Sequence, residues 1–186
     1  MSEARAEQDA GTKTPAEEIL WSGNWIQARR RGKWEYATRA RNIRAAVILA
    51  LDSDHVILVE QYRVPIGRPC LELPAGLIGD ETEGEDPLEA AKRELVEETG
   101  YEAAEWHDLG TYYSSPGMVG ESFSMLVARN LARVGEGGGI DGENIIVHRV
   151  PLSSVIKTVE DFRANGGAVD SKLLMLMGAR VLERFA

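Results

Sequence analysis

The most informative stretch of the chain is residues 93–100, which read RELVEETG. On a helix, Glu94, Glu97 and Glu98 stand at positions i, i+3 and i+4, so their carboxylates share one face. Like charges at this spacing destabilise a helix by roughly 0.2–0.5 kcal/mol per pair. A divalent cation offsets that repulsion, because Mg²⁺ prefers carboxylate oxygens as ligands. The alternative interpretation is a solvated acidic face on which Arg93 pairs with nearby glutamates.

The residues around this stretch predict the helix itself. Asp86 is a good N-cap, Pro87 suits the first helical position, and Glu89 completes a capping box. Apolar residues follow at helical spacing, and Gly100 ends the helix. We therefore predict one acidic helix between Asp86 and Gly100.

The acidic helix belongs to a longer pattern. Seven residues separate Glu85 from Arg93, and five separate Gly79 from Glu85. Together with the spacing inside residues 93–100 this is the Nudix box, so the chain resembles Nudix hydrolases, which cleave nucleoside diphosphates linked to another moiety. The resemblance implies an α/β/α sandwich with a mixed sheet and a small N-terminal β region. It also implies Mg²⁺-dependent attack of water on a pyrophosphate, with Mn²⁺ as a possible substitute.

The resemblance also implies roles for individual residues of the box. Glu94 and Glu98 would ligate the metal, Glu97 would lie on or near a second ion, and the Ala75 carbonyl would be a further ligand. Structural roles, which hold the loop and helix in place, would fall to Gly76, Gly79, Glu85, Arg93 and Gly100. The box glycine is either Gly79, which has the usual spacing, or Gly76, which follows Pro-Ala as in the nearest subfamily and requires a three-residue insertion.

Sequence outside the box resembles the ADP-ribose pyrophosphatase group. The matching pieces are Trp34-Glu35, Glu60-Gln61-Tyr62-Arg63, Glu72-Leu73-Pro74-Ala75-Gly76, Ser115-Pro116-Gly117 and Gly142-Glu143. In that group an N-terminal β region exchanges between two subunits and aromatic side chains sandwich the adenine, which implies a homodimer. Trp25 and Trp34 match the stacking positions, and flat indoles suit a base. The alternative is that both are core or dimer-interface residues.

Further residues match the substrate-binding and catalytic positions of the ADP-ribose pyrophosphatase group. Arg39 and Arg63 match residues that contact the diphosphate or ribose, as guanidinium groups suit phosphate oxygens. Glu121 either lines the site or forms a structural salt bridge. Glu143 matches a glutamate that orients or deprotonates water, and Glu97 is the alternative base.

The order of elements predicts three regions. Residues 1–18 form a mobile tail, residues 19–42 an N-terminal β region with a hairpin turn, and residues 43–186 the hydrolase domain. Within the domain we expect loop-like structure over 65–84, strands over 122–129 and 145–150, and helices over 152–164 and 171–185. Residues 134–143 carry five glycines and are expected to form a mobile loop.

The composition excludes several classes of protein. One cysteine among 186 residues cannot form an internal disulfide, which excludes a disulfide scaffold. We see neither an apolar run of the ~20 residues needed to span a bilayer nor a signal peptide, so we expect a cytoplasmic protein without membrane association. A net charge of -9 argues against binding a nucleic acid polymer but not against a small polyphosphate held through a metal.

These observations together predict a homodimeric, Mg²⁺-dependent pyrophosphatase that cuts ADP-ribose, or a related ADP-sugar, to AMP and a sugar phosphate. One alternative is the same chemistry on another nucleotide sugar such as GDP-mannose. A less favoured alternative is a non-catalytic, ligand-sensing domain of the same fold.

Overall fold

The structure is a computed structural model that describes residues 15–79, 84–140 and 142–178. The chain divides into two compact units. One comprises the residues up to Asn42 together with Tyr113–Glu121, and the other comprises Ile43–Tyr112 together with the residues from Ser122 onwards. Most of the predicted tail lies outside the described residues, but the first strand begins at Glu17, two residues before the expected boundary.

The N-terminal unit contains a small antiparallel sheet. Its strands are β1 (Glu17–Ser22), β2 (Ile26–Arg31) and β3 (Trp34–Arg39), in that order. Gly32, with φ 60°, occupies the predicted hairpin turn between β2 and β3. This sheet confirms the predicted N-terminal β region.

The larger unit is built on a mixed sheet. Its strands are β4 (Arg44–Asp52), β5 (His55–Arg63), β6 (Arg68–Glu72), β7 (Ala75–Ile78), β8 (Tyr101–Tyr113), β9 (Ser122–Arg133), β10 (Ile146–Pro151) and β11 (Ala168–Val169). The order is β11-β6-β5-β4-β9-β8, and β10 and β7 pair with β5 and β4. The pairs β4–β9 and β6–β11 are parallel and the remaining registered pairs are antiparallel.

Helices cover both faces of this sheet. Helix α1 (Pro87–Thr99) packs on one face and α2 (Val155–Ala164) on the other. Along β4, Ala46 and Ile48 face the α1 side while Val47 faces the α2 side, because successive strand side chains point to opposite faces. The predicted α/β/α sandwich is therefore confirmed.

Two parts of the sheet differ from the sequence prediction. The region expected to be loop-like contains β6 and β7, and we did not predict β8. Pro69 is compatible with β6 because β11 pairs with that strand only at Cys70 and Leu71, so the missing proline N–H lies where β6 has one neighbour. Proline and glycine were thus misleading signals for loop structure here.

The C-terminal part follows the predictions in outline. Helix α2 begins at Val155, after a 3₁₀ turn over Leu152–Ser154. The last predicted helix begins with a 3₁₀ turn at Ser171–Leu173 and continues as α-helix over 174–178, and the rest of it lies outside the described residues. No helix within the described ranges has the length and apolar character needed to cross a membrane.

Candidate active site

Helix α1 carries the acidic residues of the candidate site. Asp86 caps its N-terminus by accepting a hydrogen bond from the Leu88 N–H at 2.8 Å. Leu95 is fully buried against the sheet, which fixes the rotation of the helix. Because Glu94, Glu97 and Glu98 lie on the same helix as Leu95, the packing of the apolar face determines where their carboxylates lie.

Glu98 is the buried member of this group. Only 6% of the residue is exposed, and its Oε2 accepts a hydrogen bond from the Ala75 N–H at 3.0 Å. Burial raises the pKa of Glu98 to about 8; the hydrogen bond from Ala75 opposes this rise, and repulsion from Glu94 and Glu143 adds to it. A carboxylate in this position is costly as an anion unless a cation is present.

Arg93 links the acidic residues to one another. Its Nη1 donates to Glu94 Oε1 at 2.9 Å and to Glu97 Oε2 at 3.2 Å, and its Nη2 lies 3.7 Å from Glu85 Oε1. The Arg93 Nε is buried and has no hydrogen-bond partner within the described ranges. This geometry suits the predicted structural role of Arg93, because one guanidinium joins helix α1 to the segment before it.

The two candidate box glycines make different contacts. A Cβ on Gly76 would lie 1.9 Å from Glu94 Cδ, so the Glu94 side chain occupies the space next to this glycine. Gly79 has φ 82° and donates its N–H to Glu85 Oε2 at 3.1 Å. Gly76 therefore makes room for a predicted ligand, whereas Gly79 holds Glu85 at a turn.

The acidic residues fit a hard divalent cation by their chemistry. Within the described residues, no three acidic, histidine or cysteine side chains are already arranged to hold a metal ion. Glu94 Oε1 and Glu97 Oε2 both accept hydrogen bonds from Arg93 Nη1. The donor set itself suits Mg²⁺, since it consists of carboxylates on one helix face, one of them buried with a raised pKa. Ala75 contacts the group through its N–H.

The glycine-rich segment is attached to α1. Val134 and Gly135 donate their N–H groups to the Gly100 carbonyl at 2.8 and 3.1 Å, while Gly138 and Gly139 donate to the carbonyls of Glu98 and Glu97 at 2.9 and 3.0 Å. Residues 134–139 thus cap the C-terminal end of α1, where helix carbonyls lack intrahelical partners. This part of the expected mobile loop is anchored by backbone hydrogen bonds.

Glu143 follows this anchored segment. Its backbone N–H donates to the Ile140 carbonyl at 3.1 Å, and its Oε2 accepts from the Ile140 N–H at 3.1 Å. Its charge adds a small contribution to the raised pKa of Glu98, after burial and the charge of Glu94. The described contacts of Glu143 are with Ile140, and its role as the base stays a prediction.

Arg63 forms an ion pair at the end of β5. Its Nε and Nη2 donate to the two carboxylate oxygens of Glu72 at 2.7 and 2.9 Å. The hydrogen bonds and charge of Glu72 raise the pKa of Arg63. The sequence analysis did not predict this pairing, although Glu72 belongs to the Glu72–Gly76 piece that matched the pyrophosphatase group.

The remaining predicted substrate residues belong to the N-terminal unit. Arg39 Nε donates to Glu121 Oε1 at 2.7 Å, and the Ser114 hydroxyl donates to Glu121 Oε2 at 3.3 Å. Both members of the ion pair are about 29% exposed at the side chain. Glu121 thus orients Arg39 and keeps part of the guanidinium accessible.

The two tryptophans lie at opposite ends of the β2–β3 hairpin. Trp34 is 61% exposed and lines a pocket of about 1000 Å³ together with Tyr36 and Pro116. Trp25 is also exposed, and the Arg41 guanidinium lies 5.4 Å from its ring centroid. The hairpin register has five residue steps between the end near Trp25 and the end at Trp34. At about 3.3 Å per step, these two ends of the hairpin are about 17 Å apart.

Comparison with known proteins agrees with this geometry. Residues 41–165 match the family described as the NUDIX domain, which is more than half of the chain. An ADP-ribose pyrophosphatase of Bacillus subtilis (strain 168) is 35% identical over 116 residues, covering 62% of this chain and 61% of that protein. A GDP-mannose pyrophosphatase of Cronobacter sakazakii (strain ATCC BAA-894) is 32% identical over 142 residues, covering 72% and 70%.

Two further similarities are informative. A methanol dehydrogenase activator of Bacillus methanolicus is 37% identical over 101 residues, covering 54% of this chain and 53% of that protein. The chain thus spans between about half and seven tenths of the length of these three relatives. A crystal structure described as an ADP compounds hydrolase shares the fold with a TM-score of 0.68 and 23% identity, covering 95% of this chain and 98% of that one. With the acidic helix, the sandwich and the family match all in agreement, the chain belongs to the Nudix hydrolase family.

Proposed function

We propose that the protein hydrolyses the pyrophosphate bond of ADP-ribose, or a related ADP-sugar, to AMP and a sugar phosphate. The observation that carries this proposal is Glu98, a buried carboxylate with a raised pKa on a helix that also presents Glu94 and Glu97. The Bacillus subtilis relative, which is named an ADP-ribose pyrophosphatase, supports the choice of substrate.

The acidic group of α1 would hold Mg²⁺, with Mn²⁺ as a substitute. Glu94, Glu97 and Glu98 would supply carboxylate oxygens and Ala75 its carbonyl. Bound there, the metal would neutralise charge on the phosphoryl oxygens and lower the pKa of the attacking water. Arg93 Nη1 lies 2.9 Å from Glu94 Oε1 and 3.2 Å from Glu97 Oε2, which limits the repulsion between the two carboxylates.

Glu143 would orient the attacking water and accept its proton. Support comes from its position after the segment that caps α1 and from its electrostatic influence on Glu98. Glu97 is the alternative base because it lies on the same helix face as the predicted ligands.

Two arginines would bind the substrate phosphates and two tryptophans would bind the base. Arg39 and Arg63 each carry a guanidinium held by a glutamate, Glu121 and Glu72, and such oriented groups suit phosphate oxygens. Trp25 and Trp34 would stack on the base. The two tryptophans of one chain lie too far apart along the hairpin to sandwich one base. We therefore also propose that two copies associate through the N-terminal sheet, so that each base lies between one indole from each chain.

A second candidate is the same hydrolysis acting on GDP-mannose. The observation that favours it is the Cronobacter sakazakii relative, a GDP-mannose pyrophosphatase that aligns over 72% of this chain. An exposed indole stacks on guanine as well as on adenine, because stacking reads the flat face of a base. The two candidates differ in substrate preference alone.

The test is a hydrolysis panel of ADP-ribose, ADP-glucose, GDP-mannose, NADH, diadenosine polyphosphate and a nucleoside triphosphate, with and without Mg²⁺. We expect ADP-ribose to be preferred and Glu98→Gln to lower its turnover at least about 100-fold, because the substitution removes a metal-binding charge with little change in shape. Glu89→Gln is the matched control, since Glu89 lies on the exposed face of α1 and pairs with Lys92.

The outcomes separate the candidates. Near-normal Mg²⁺-dependent turnover by Glu98→Gln would contradict the metal site. A preference for GDP-mannose would leave the assignment of the metal site unchanged and make GDP-mannose the proposed substrate. Tight binding of a nucleotide sugar without turnover would instead indicate a ligand-sensing domain.

A further inference from the structure

The contact between the glycine-rich segment and the end of α1 depends on the absence of side chains. A Cβ on Gly137 would lie 2.5 Å from the Thr99 carbonyl carbon and 2.7 Å from the Glu98 carbonyl oxygen. A Cβ on Gly100 would lie 2.4 Å from the Gly135 carbonyl oxygen. All of these neighbours are backbone atoms that cannot move aside as a side chain does. The two backbones therefore approach each other at a distance that only glycine allows.

The hydrogen bonds across this contact are accepted by two particular residues of α1. Gly138 and Gly139 donate to the carbonyls of Glu98 and Glu97, which are two of the predicted metal ligands. The backbone that carries these carboxylates is thus held by the same segment that leads to Glu143.

The far end of the segment is shaped around the Glu143 side chain. A Cβ on Gly139 would lie 2.4 Å from Glu143 Oε2, so this glycine leaves the space that the carboxylate occupies. The Ile140 N–H then donates to the same oxygen at 3.1 Å. One short segment therefore contacts α1 with one end and Glu143 with the other.

We propose that residues 134–140 form a clamp that positions Glu143 relative to the carboxylates of α1, with Gly137 as its principal positioning residue. The catalytic part of this inference rests on the proposed function. The clamp makes the placement of Glu143 depend on backbone contacts with the metal-binding helix, which a freely moving loop would not provide.

The test compares Gly137→Ala with Gly166→Ala in the full chain. Both glycines have a positive φ, 72° and 86°, so the alanine strains the backbone in both variants. At Gly166 nothing lies within 4 Å of the added Cβ, whereas at Gly137 it meets the backbone of α1. The difference between the variants therefore reports the clamp contact.

We expect Gly137→Ala to lower kcat for Mg²⁺-dependent ADP-ribose hydrolysis at least about tenfold with little change in KM, and Gly166→Ala to stay within about threefold of the original chain. Amide hydrogen exchange at Gly138, Gly139 and Glu143 should accelerate in Gly137→Ala alone. In a Glu143→Gln background, Gly137→Ala should cause no further loss of kcat, because both changes remove the same function.

A second variant covers the case in which Gly137→Ala does not fold. Gly139→Ala, at a φ of 78°, brings its Cβ against the Glu143 and Ile145 side chains and not against the backbone of α1, so we expect the fold to be retained while the Glu143 carboxylate is displaced. It should reproduce the loss of kcat and its non-additivity with Glu143→Gln.

Two results would contradict the clamp proposal. If the loss of kcat in a glycine variant adds to the loss in Glu143→Gln, the glycine acts on α1 itself and not through Glu143. Unchanged exchange at Glu143 when Gly138 and Gly139 exchange faster would show that the two ends are not coupled. If the original chain hydrolyses no compound of the panel, the proposed function fails, and the exchange measurements still decide whether the clamp exists.

Discussion

At the scale of single residues, the candidate site depends on a glycine beside a carboxylate. Gly76 lies in β7, and the Glu94 side chain fills the space that a Cβ would need. The neighbour that would be displaced is the end of a flexible side chain, so the fold can accept a larger residue here. The position of the Glu94 carboxylate, however, would change.

We therefore predict that Gly76→Ala weakens metal binding but leaves the stability of the fold nearly unchanged. We expect the Tm of the metal-free protein to change by no more than about 3 °C. We expect the affinity for Mn²⁺ to fall about tenfold or more, because a displaced ligand is lost from the coordinating group. Calorimetric titration with Mn²⁺ measures the affinity, and scanning calorimetry in EDTA measures the Tm.

The matched control is Gly178→Ala, because nothing lies within 4 Å of its added Cβ. Unchanged Mn²⁺ affinity in Gly76→Ala would contradict the assignment of Glu94 as a ligand. A large fall in Tm would show instead that the neighbourhood of Gly76 is rigid.

At the scale of elements, helix α1 determines where the acidic residues lie, and its N-terminus is capped in a simpler way than the sequence suggests. The predicted capping box would turn Glu89 back towards Asp86. In the structure Asp86 accepts from the Leu88 N–H, while Glu89 pairs with Lys92 at 2.8 Å. One side chain, Asp86, thus provides the cap.

Asp86→Ala should therefore lower the free energy of unfolding by about 1 kcal/mol, the usual cost of losing an N-cap side chain. Glu89→Ala should cost clearly less, because it removes only an exposed ion pair. Urea denaturation of both variants in EDTA measures the difference. Equal losses would indicate that Glu89 takes part in the cap in solution.

At the scale of the whole molecule, the N-terminal sheet exposes a set of large apolar side chains. About half of each is accessible in the single chain: Ile19, Leu20, Trp21, Trp25, Ile26 and Trp34. Such a concentration of exposed apolar surface is typical of an interaction site. The proposed association of two copies through this sheet would cover it.

Trp21→Glu should consequently convert a dimer to a monomer, because a charge would be buried without a partner in the proposed interface. Light scattering after gel filtration measures the mass of each form. Leu109→Glu is the control, since Leu109 is comparably exposed but lies in β8 of the other unit. A monomeric original chain at all accessible concentrations would contradict the proposed association.

The sequence alone determined the family and the architecture of this protein. The spacing of Glu94, Glu97 and Glu98 repeats with the helical period, and that period is a local property of the chain. The helix and the N-terminal hairpin follow from equally local signals, namely the cap provided by Asp86 and the turn at Gly32. The roles of the predicted ligands, the base and the substrate residues remain predictions.

Only the tertiary structure decided which groups meet across long stretches of chain. Strands β6 and β7 form within a segment rich in proline and glycine because β4 and β5 offer them partners. Glu98 is buried because the sheet covers it, and the glycines of residues 134–139 serve as a cap because the end of α1 lies beside them. These are consequences of packing between residues distant in sequence, so no local pattern of side chains encodes them.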